Sequence, residues 1–239
     1  MTAIQKLGCV VEQVLAHGDR VYSVTLRPER PAPRFRAGQF LHLALDPYDP
    51  GGFWPESRVF SIASGPAQRD RLRVTFAVHG TFTERMERDL VQGRQVWIKM
   101  PYGDFVVDGE GEIVLIAGGT GVTAFTAFLE DLAAERRQPV TLAYGARTSD
   151  LLIYRDVIDA CAARLPELRV AYFAEEIGPG DPAGIHRGRM SIAPFWPLLR
   201  TAARATFYLA GPPPMLNAIS HELRGRGISR DAIRIDAWE

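Results

Sequence analysis

Apolar and polar residues recur with two different periods along this chain, and the change falls near residue 108. In "LRVTFAV", Leu72, Val74, Phe76 and Val78 alternate with Arg73, Thr75 and Ala77, which predicts a strand with one wet face. The runs "VYSVTLRP", "QFLHLAL", "RVFSIAS" and "RQVWIKM" are also β-rich and bounded by Gly, Pro or Asp. Closely spaced strands of this kind predict an antiparallel β-barrel over residues 1–108. One helix interrupts them at "TFTERMERDL", where Thr81 and Glu84 have capping-box spacing.

Beyond this point "EIVLIAGG" is a continuous apolar run, as expected of a parallel strand covered on both faces. In "VTAFTAFLEDLAAER", Phe125, Phe128, Leu129 and Leu132 fall at i, i+3, i+4 and i+7, which predicts a helix with one buried stripe. Strands "PVTLAYGA", "LRVAYFAE" and "ATFYLAG" then alternate with helices "DLLIYRDVIDACAARL", "SIAPFWPLLRTA" and "PPMLNAISHELRGRG". That alternation predicts an α/β doubly wound parallel-sheet domain over residues 109–239.

Three turns of the second half carry candidate chemistry. "GGTGVTAF" lies where a buried strand ends and a helix begins. Gly118, Gly119 and Gly121 let backbone approach a phosphate, and the helix start from Thr120 to Thr123 offers N–H groups and partial positive charge to a pyrophosphate. It is neither a P-loop nor G-x-G-x-x-G, and a plain strand–helix turn accounts for the same glycines. "YLAGPPPM" is a second strand end, with prolines where a helix tolerates them; a rigid turn reads the same way. "YGARTSD" adds Gly145 and Arg147 at a third. All three are C-terminal strand ends, where open α/β sheets bind ligands. In the first half, "RVFSIAS" sets Arg58 in an apolar strand. A charge there is costly unless paired, so an anion is expected beside Arg58 and a flat group beside Phe60.

Composition narrows the classes. The chain has 239 residues, 46% hydrophobic and 23% charged, with Lys+Arg and Asp+Glu both at 28. No gross field favours nucleic acid or an anionic membrane. Two cysteines, Cys9 and Cys161, are too few for an iron–sulfur or Cys-based zinc site within this chain, and they are expected as buried thiols. The five histidines lack ligand spacing, so no metal site is expected. The opening "MTAIQKLGCVVEQ" lacks the pattern of a signal peptide and no apolar run suits a bilayer, so a cytoplasmic location is expected.

In order, "RVFS", "GTFT", "GGTG", "AGPP" and "DAWE", with "AGQF" and "PYGDF" beside them, resemble the motifs of the ferredoxin–NADP reductase superfamily, and the likeness covers nearly the whole chain. The resemblance implies an antiparallel six-stranded flavin-binding β-barrel and an NAD(P)-binding α/β domain. It makes Arg58, with Val59 next to it, the flavin phosphate clamp, a charge-assisted fork. Phe60 then packs on one isoalloxazine face and Ser61 bonds near flavin N5. Val78 and His79 line the flavin by main chain, and Gly80, Thr81, Phe82 and Thr83 cradle the pyrophosphate. Gly118, Gly119, Thr120, Gly121 and Thr123 hold the nicotinamide nucleotide, flanked by Ala210, Gly211, Pro212, Pro213 and Met215. Asp236 and Trp238 match the family's acidic-x-aromatic ending, Trp238 covering the other flavin face.

This chain departs from the family at three positions. Phe60 replaces a usual tyrosine, Ala210 a frequent cysteine near the hydride path, and Ala124 a frequent proline. The short loop at His79–Gly80 offers less grip on the adenine half of FAD. Glu175 and Glu176 in "YFAEE" repel a 2′-phosphate and suit a ribose hydroxyl, which favours NADH over NADPH; Arg147 pulls the other way. FAD is expected over FMN because of the pyrophosphate cradle. The implied activity is hydride transfer from nicotinamide C4 to flavin N5, with Ser61, Asp236 and Trp238 at the reacting centre, then electron transfer to a separate acceptor: a ferredoxin, an oxygenase component or a haem protein. The barrel's 14 Lys+Arg against 12 Asp+Glu name no partner charge, and a monomer or weak oligomer is expected. Two alternatives stay open: a reductase using free flavin as substrate, and a non-catalytic nucleotide sensor.

Overall fold

The structure is a computed structural model that describes residues 3–109, 111–132 and 138–236. Contacts divide the chain into two compact units, Met1–Val106 and Val107–Glu239.

The first unit is the expected antiparallel barrel. Its strands are β1 (Gln5–Gly18), β2 (Val21–Pro28), β3 (Phe40–Ala44), β4 (Ser57–Ser61), β5 (Leu72–Ala77) and β6 (Gln95–Tyr102), in the order β4-β3-β6-β1-β2-β5. Inward side chains sit at every second position: Leu7, Cys9 and Val11; Val24 and Leu26; Leu41 and Leu43; Leu72, Val74 and Phe76; Val96, Ile98 and Met100. A Val11/Gln13 register shift in β1 marks a bulge. The barrel is nearly closed. β4 and β5 share no ladder, but just past β4 the Ala63 N–H donates to the Arg73 carbonyl at 2.7 Å. Between β5 and β6 lies α1 (Thr81–Asp89). Cys9 is a buried free thiol, and burial pushes its pKa far up.

The second unit is a six-stranded parallel sheet of β7 (Ile113–Gly118), β8 (Val140–Thr148), β9 (Leu168–Glu176), β10 (Ile185–Arg187), β11 (Thr206–Ala210) and β12 (Ile233–Asp236). The order β10-β9-β8-β7-β11-β12 reverses direction between β7 and β11. A sheet wound this way opens a crevice at the reversal. Every residue of β7 is buried, as a strand covered on both faces requires. The helices are α2 (Thr123–Asp131), α3 (Arg155–Arg164) and α4 (Pro213–Gly225). α4 sets Leu216, Ile219 and Leu223 against Val114, Ile116, Phe207 and Leu209. From α3, Arg164 donates to the carbonyls of Leu129, Glu130 and Leu132, capping the far end of α2.

Several expectations need correction. α2 is buried at every position from Thr123 to Leu129, not on one stripe. Its expected continuation over 133–137 lies outside the described residues. The helix expected over residues 191–202 is absent: Pro194 and Pro197 fall inside it, and the segment forms only short 3₁₀ turns at Trp196–Leu198 and Ala202–Arg204. The helix expected from Asp150 begins only at Arg155, because Tyr154 takes a left-handed φ of 63°.

Candidate functional site

Within the barrel, the predicted flavin residues gather where β4 meets the start of α1. β4 is an edge strand, and the Arg58 side chain is 49% exposed. The expected cost of a charge inside an apolar strand therefore does not arise. Arg58 pairs instead with Glu56 at 3.1 Å and donates to the Ser57 carbonyl at 3.0 Å. Its guanidinium carbon lies 5.0 Å from the centre of the Phe82 ring, a cation–π stack. Phe82 is in the first turn of α1, so the stack brings a cation to a helix N-terminus. The sequence pattern held no sign of this stack or of Glu56.

The helix start is built differently from the expected Thr81–Glu84 box. Gly80 is the N-cap. The Thr83 hydroxyl accepts from the N–H groups of His79 at 2.9 Å and Gly80 at 3.1 Å, and donates to the Gly80 carbonyl at 3.0 Å. One N–H group of the predicted cradle, that of Gly80, is thus already spoken for, as is that of His79 beside it. The N–H groups of Thr81, Phe82 and Thr83 are the first-turn donors that an α-helix leaves without intrahelical partners. α1 is fastened along its length. Arg85 grips Asp46 at 2.7 and 2.5 Å and holds its carboxyl below the usual range. Glu87 takes bonds from Arg20 and Tyr22 and is likewise lowered. Phe60 and Val78 are half-buried and pack on the barrel core. Ser61 stands opposite Phe40 on β3, and Val59 opposite His42.

In the second unit the predicted nucleotide residues meet at the sheet reversal. β7 ends in Gly118, followed by a 3₁₀ turn over Gly119–Val122 that leads into α2. β11 ends in Ala210, followed by Gly211 and the start of α4 at Pro213. The two turns touch backbone to backbone. A Cβ on Gly121 would lie 2.4 Å from the Ala210 carbonyl oxygen and 2.7 Å from the Gly211 nitrogen. One on Gly118 would lie 2.5 Å from the Met215 sulfur and 3.0 Å from Pro212 Cδ. Gly119 is different: its φ is +53° and nothing lies within 4 Å of its Cβ position. Thr123 Oγ1 donates to the Thr120 carbonyl at 2.8 Å, which tightens the turn. Asp236 is buried and stands opposite Ala210. Trp238 lies outside the described residues.

The neighbouring strand ends hold the rest. Gly145 pairs with Gly118 and Phe173 across β7, β8 and β9. Arg147 lies two residues further along β8. Glu175 is held by Arg189 at 3.2 Å, a pairing with no advance sign in "HRGRM". Among the described residues no group of His, Cys, Asp or Glu is set to hold a metal ion, and no helix is long and apolar enough to cross a membrane.

An edge-strand arginine at a helix N-terminus is a place for an anion, and paired turns at a sheet reversal are a place for a nucleotide. The comparisons agree. The family profile for an oxidoreductase NAD-binding domain matches residues 115–221. An NAD(P)H-flavin reductase of Vibrio harveyi is 30% identical over 188 residues, covering 74% of this chain and 76% of the relative. The ferredoxin reductase component of a 3-ketosteroid-9-alpha-monooxygenase from Mycolicibacterium smegmatis is 30% identical over 96% of this chain and 64% of its own length. The solved structure of a ferredoxin reductase in carbazole 1,9a-dioxygenase superposes with a TM-score of 0.80 at 26% identity, over 99% of this chain and 70% of that one. The chain belongs to the ferredoxin–NADP reductase superfamily. It spans from 47% to 64% of the length of the flavohemoprotein and reductase components first matched.

Proposed function

We propose that the protein is an NAD(P)H-dependent FAD reductase that delivers electrons to a separate redox protein. One observation carries this reading: the Arg58–Phe82 stack sets a guanidinium at the α1 N-terminus, where charge and N–H donors favour an anion together. That donor set fits the pyrophosphate of FAD, with Glu56 as the partner Arg58 exchanges for it. Phe60 offers an apolar face, and Ser61 a hydroxyl to hydrogen-bond flavin N5. Bound flavin supplies the chemistry that takes a hydride from nicotinamide and passes electrons on singly. On the other unit, the Gly119 turn receives the nucleotide phosphates, while Glu175 accepts from a ribose hydroxyl and tilts the choice toward NADH. Asp236 serves the nicotinamide end, and Trp238 covers the second flavin face, as the family's acidic-x-aromatic ending implies. The domains are proposed as residues 1–108 for flavin and 109–239 for nucleotide, with the protein working in the cytoplasm as a monomer or weak oligomer.

Anaerobic titration with NADH and then NADPH, followed by flavin absorbance, tests this. Flavin that stays bound through gel filtration and bleaches with NADH supports the reading. The likeness to the Vibrio harveyi flavin reductase favours a second one, in which flavin visits as substrate. A colourless protein that oxidises NADH only with added flavin selects it. Either way Arg58→Ala is expected to weaken flavin binding about 10- to 100-fold, the loss of a charge-assisted bond of roughly 1.5–3 kcal/mol. The melting point of the flavin-free protein should not move, because Arg58 is exposed.

A further inference from the structure

A cavity of about 540 Å³ opens in the first unit, and no residue assigned above to flavin or nucleotide lines it. Its size is that of a small-molecule site. The β1 bulge builds its floor. Val11 and Val14 both face the barrel core, so the two residues between them, Glu12 and Gln13, share the outer side. A regular strand would turn one of them inward. Gln13 stands opposite Thr25 on β2, and Thr25 opposite Arg73 on β5, so three polar side chains cross the sheet in one row. Their strand neighbours Val24, Leu26, Leu72 and Val74 belong to the core, which sets this row on the outer face as well. Gln68, from the segment before β5, and Gln92, from the turn before β6, add to the wall.

The lining is polar and carries unused hydrogen-bonding capacity. Leu72 is its single apolar residue, which disfavours an aromatic or steroid-like occupant. Among the described residues, the side chains of Gln13, Thr25, Gln68 and Gln92 make no hydrogen bond within the protein. Each amide and hydroxyl both donates and accepts, as a ligand hydroxyl does, so this set matches a polyol. Charge narrows the choice. The lining holds two guanidiniums, of Arg71 and Arg73, and one carboxylate, of Glu12. Glu12 takes the Nε and Nη2 edge of Arg71 at 2.8 and 3.1 Å, which leaves the Nη1 hydrogens to a ligand. Arg73 is fixed in place: its Nη2 donates to the Ala63 carbonyl at 3.0 Å, and its backbone N–H to Ser64 Oγ at 3.2 Å. Two cations against one anion favour a monoanion, because Glu12 repels a second negative charge.

We infer that this cavity binds a sugar acid: a single carboxylate held by Arg71, on a frame of hydroxyls held by Gln13, Thr25, Gln68 and Gln92. The site lies within the barrel unit and stands apart from the reductase reading, which it neither needs nor supports.

Calorimetric titration of the full chain with sodium glucuronate tests this, with glucose as the uncharged comparator and acetate as the one without hydroxyls. Glucuronate is expected to bind, and glucose and acetate each at least about tenfold more weakly. Arg71→Gln is expected to weaken glucuronate binding at least about tenfold. Glu12→Gln frees the Arg71 edge and removes the repelling charge, so it is expected to tighten binding about threefold. Gln13→Ala with Gln92→Ala should weaken glucuronate and leave acetate as it was. An unchanged melting point shows that each variant is folded. Absence of glucuronate binding overturns the inference. So does equal binding of glucuronate and either comparator, equal binding by the parent and Arg71→Gln, or a Glu12→Gln variant no tighter than the parent. Competition by NADH or FAD puts the ligand in the sites already described and overturns it too.

Discussion

Replacing Gly121 by alanine is the sharpest test of how the nucleotide turns are built. The added Cβ would lie 2.4 Å from the Ala210 carbonyl oxygen, 2.5 Å from its carbon and 2.7 Å from the Gly211 nitrogen. Carbon contacts are comfortable only beyond about 3.5 Å, so the turns must part by roughly 1 Å. No side chain can swing away to make room, because all three obstacles are backbone. They are anchored by β11, which is paired with β7 on one side and β12 on the other. Overpacking of this kind costs about 1–3 kcal/mol, and with backbone on both sides the upper half of that range is expected. At roughly 3–4 °C per kcal/mol for a unit of this size, the melting transition should fall by about 6–12 °C. Nucleotide binding should weaken too, because the same two turns form the crevice. Gly225→Ala is the control: it sits in α4 with nothing within 4 Å of its Cβ position, and it should be neutral or slightly stabilising. Calorimetry on the two variants decides the matter. If Gly121→Ala melts within about 2 °C of the parent, the turns are not in backbone contact and the glycine has another purpose.

Thr83→Val removes a hydroxyl that accepts from both His79 and Gly80. It should cost about 1 kcal/mol of stability by denaturant titration and loosen flavin retention, with Thr83→Ser restoring both. His42 is held below its ordinary value of 6.5 by burial and by Lys99. The unfolded chain then takes up the proton more readily, so stability should be full above pH 6.5 and decline as pH falls below it. His42→Gln should flatten that decline; a decline of unchanged slope refutes the assignment to His42.

What the sequence disclosed depended on whether the cause of each element was local. The strand β5 shows its alternation in seven residues, and the buried strand β7 shows its apolar run, because the sheet imposes those patterns position by position. β1 carries the same sign in Leu7, Cys9 and Val11, yet the Glu12 bulge breaks the period halfway along, and no strand was expected there. β10 and β12, with three and four residues, are too short to show a period. The false helix over residues 191–202 came from apolar spacing alone, and two prolines outweighed it. Placing the cap at Thr81 rather than Gly80 followed from reading Glu84 as the capping partner when Thr83 was nearer.

The site was legible as a set of motifs but not as a division of labour within them. Gly118 and Gly121 were read as openings for a phosphate. The structure gives both a prior duty: backbone of the turn after β11 leaves no volume for a side chain at Gly121, and the side chains of Met215 and Pro212 crowd Gly118. The turns after β7 and β11 are about ninety residues apart in sequence, so no local pattern could disclose their contact. It follows that the order and spacing of such glycines report the architecture of a sheet reversal as much as a ligand. The positions that speak for a ligand are those the fold does not itself demand. Gly119 is left-handed and open on its Cβ side, and Arg58 is exposed yet stacked at a helix start. Neither is needed to pack the protein, so it is on these two that the functional reading has to stand.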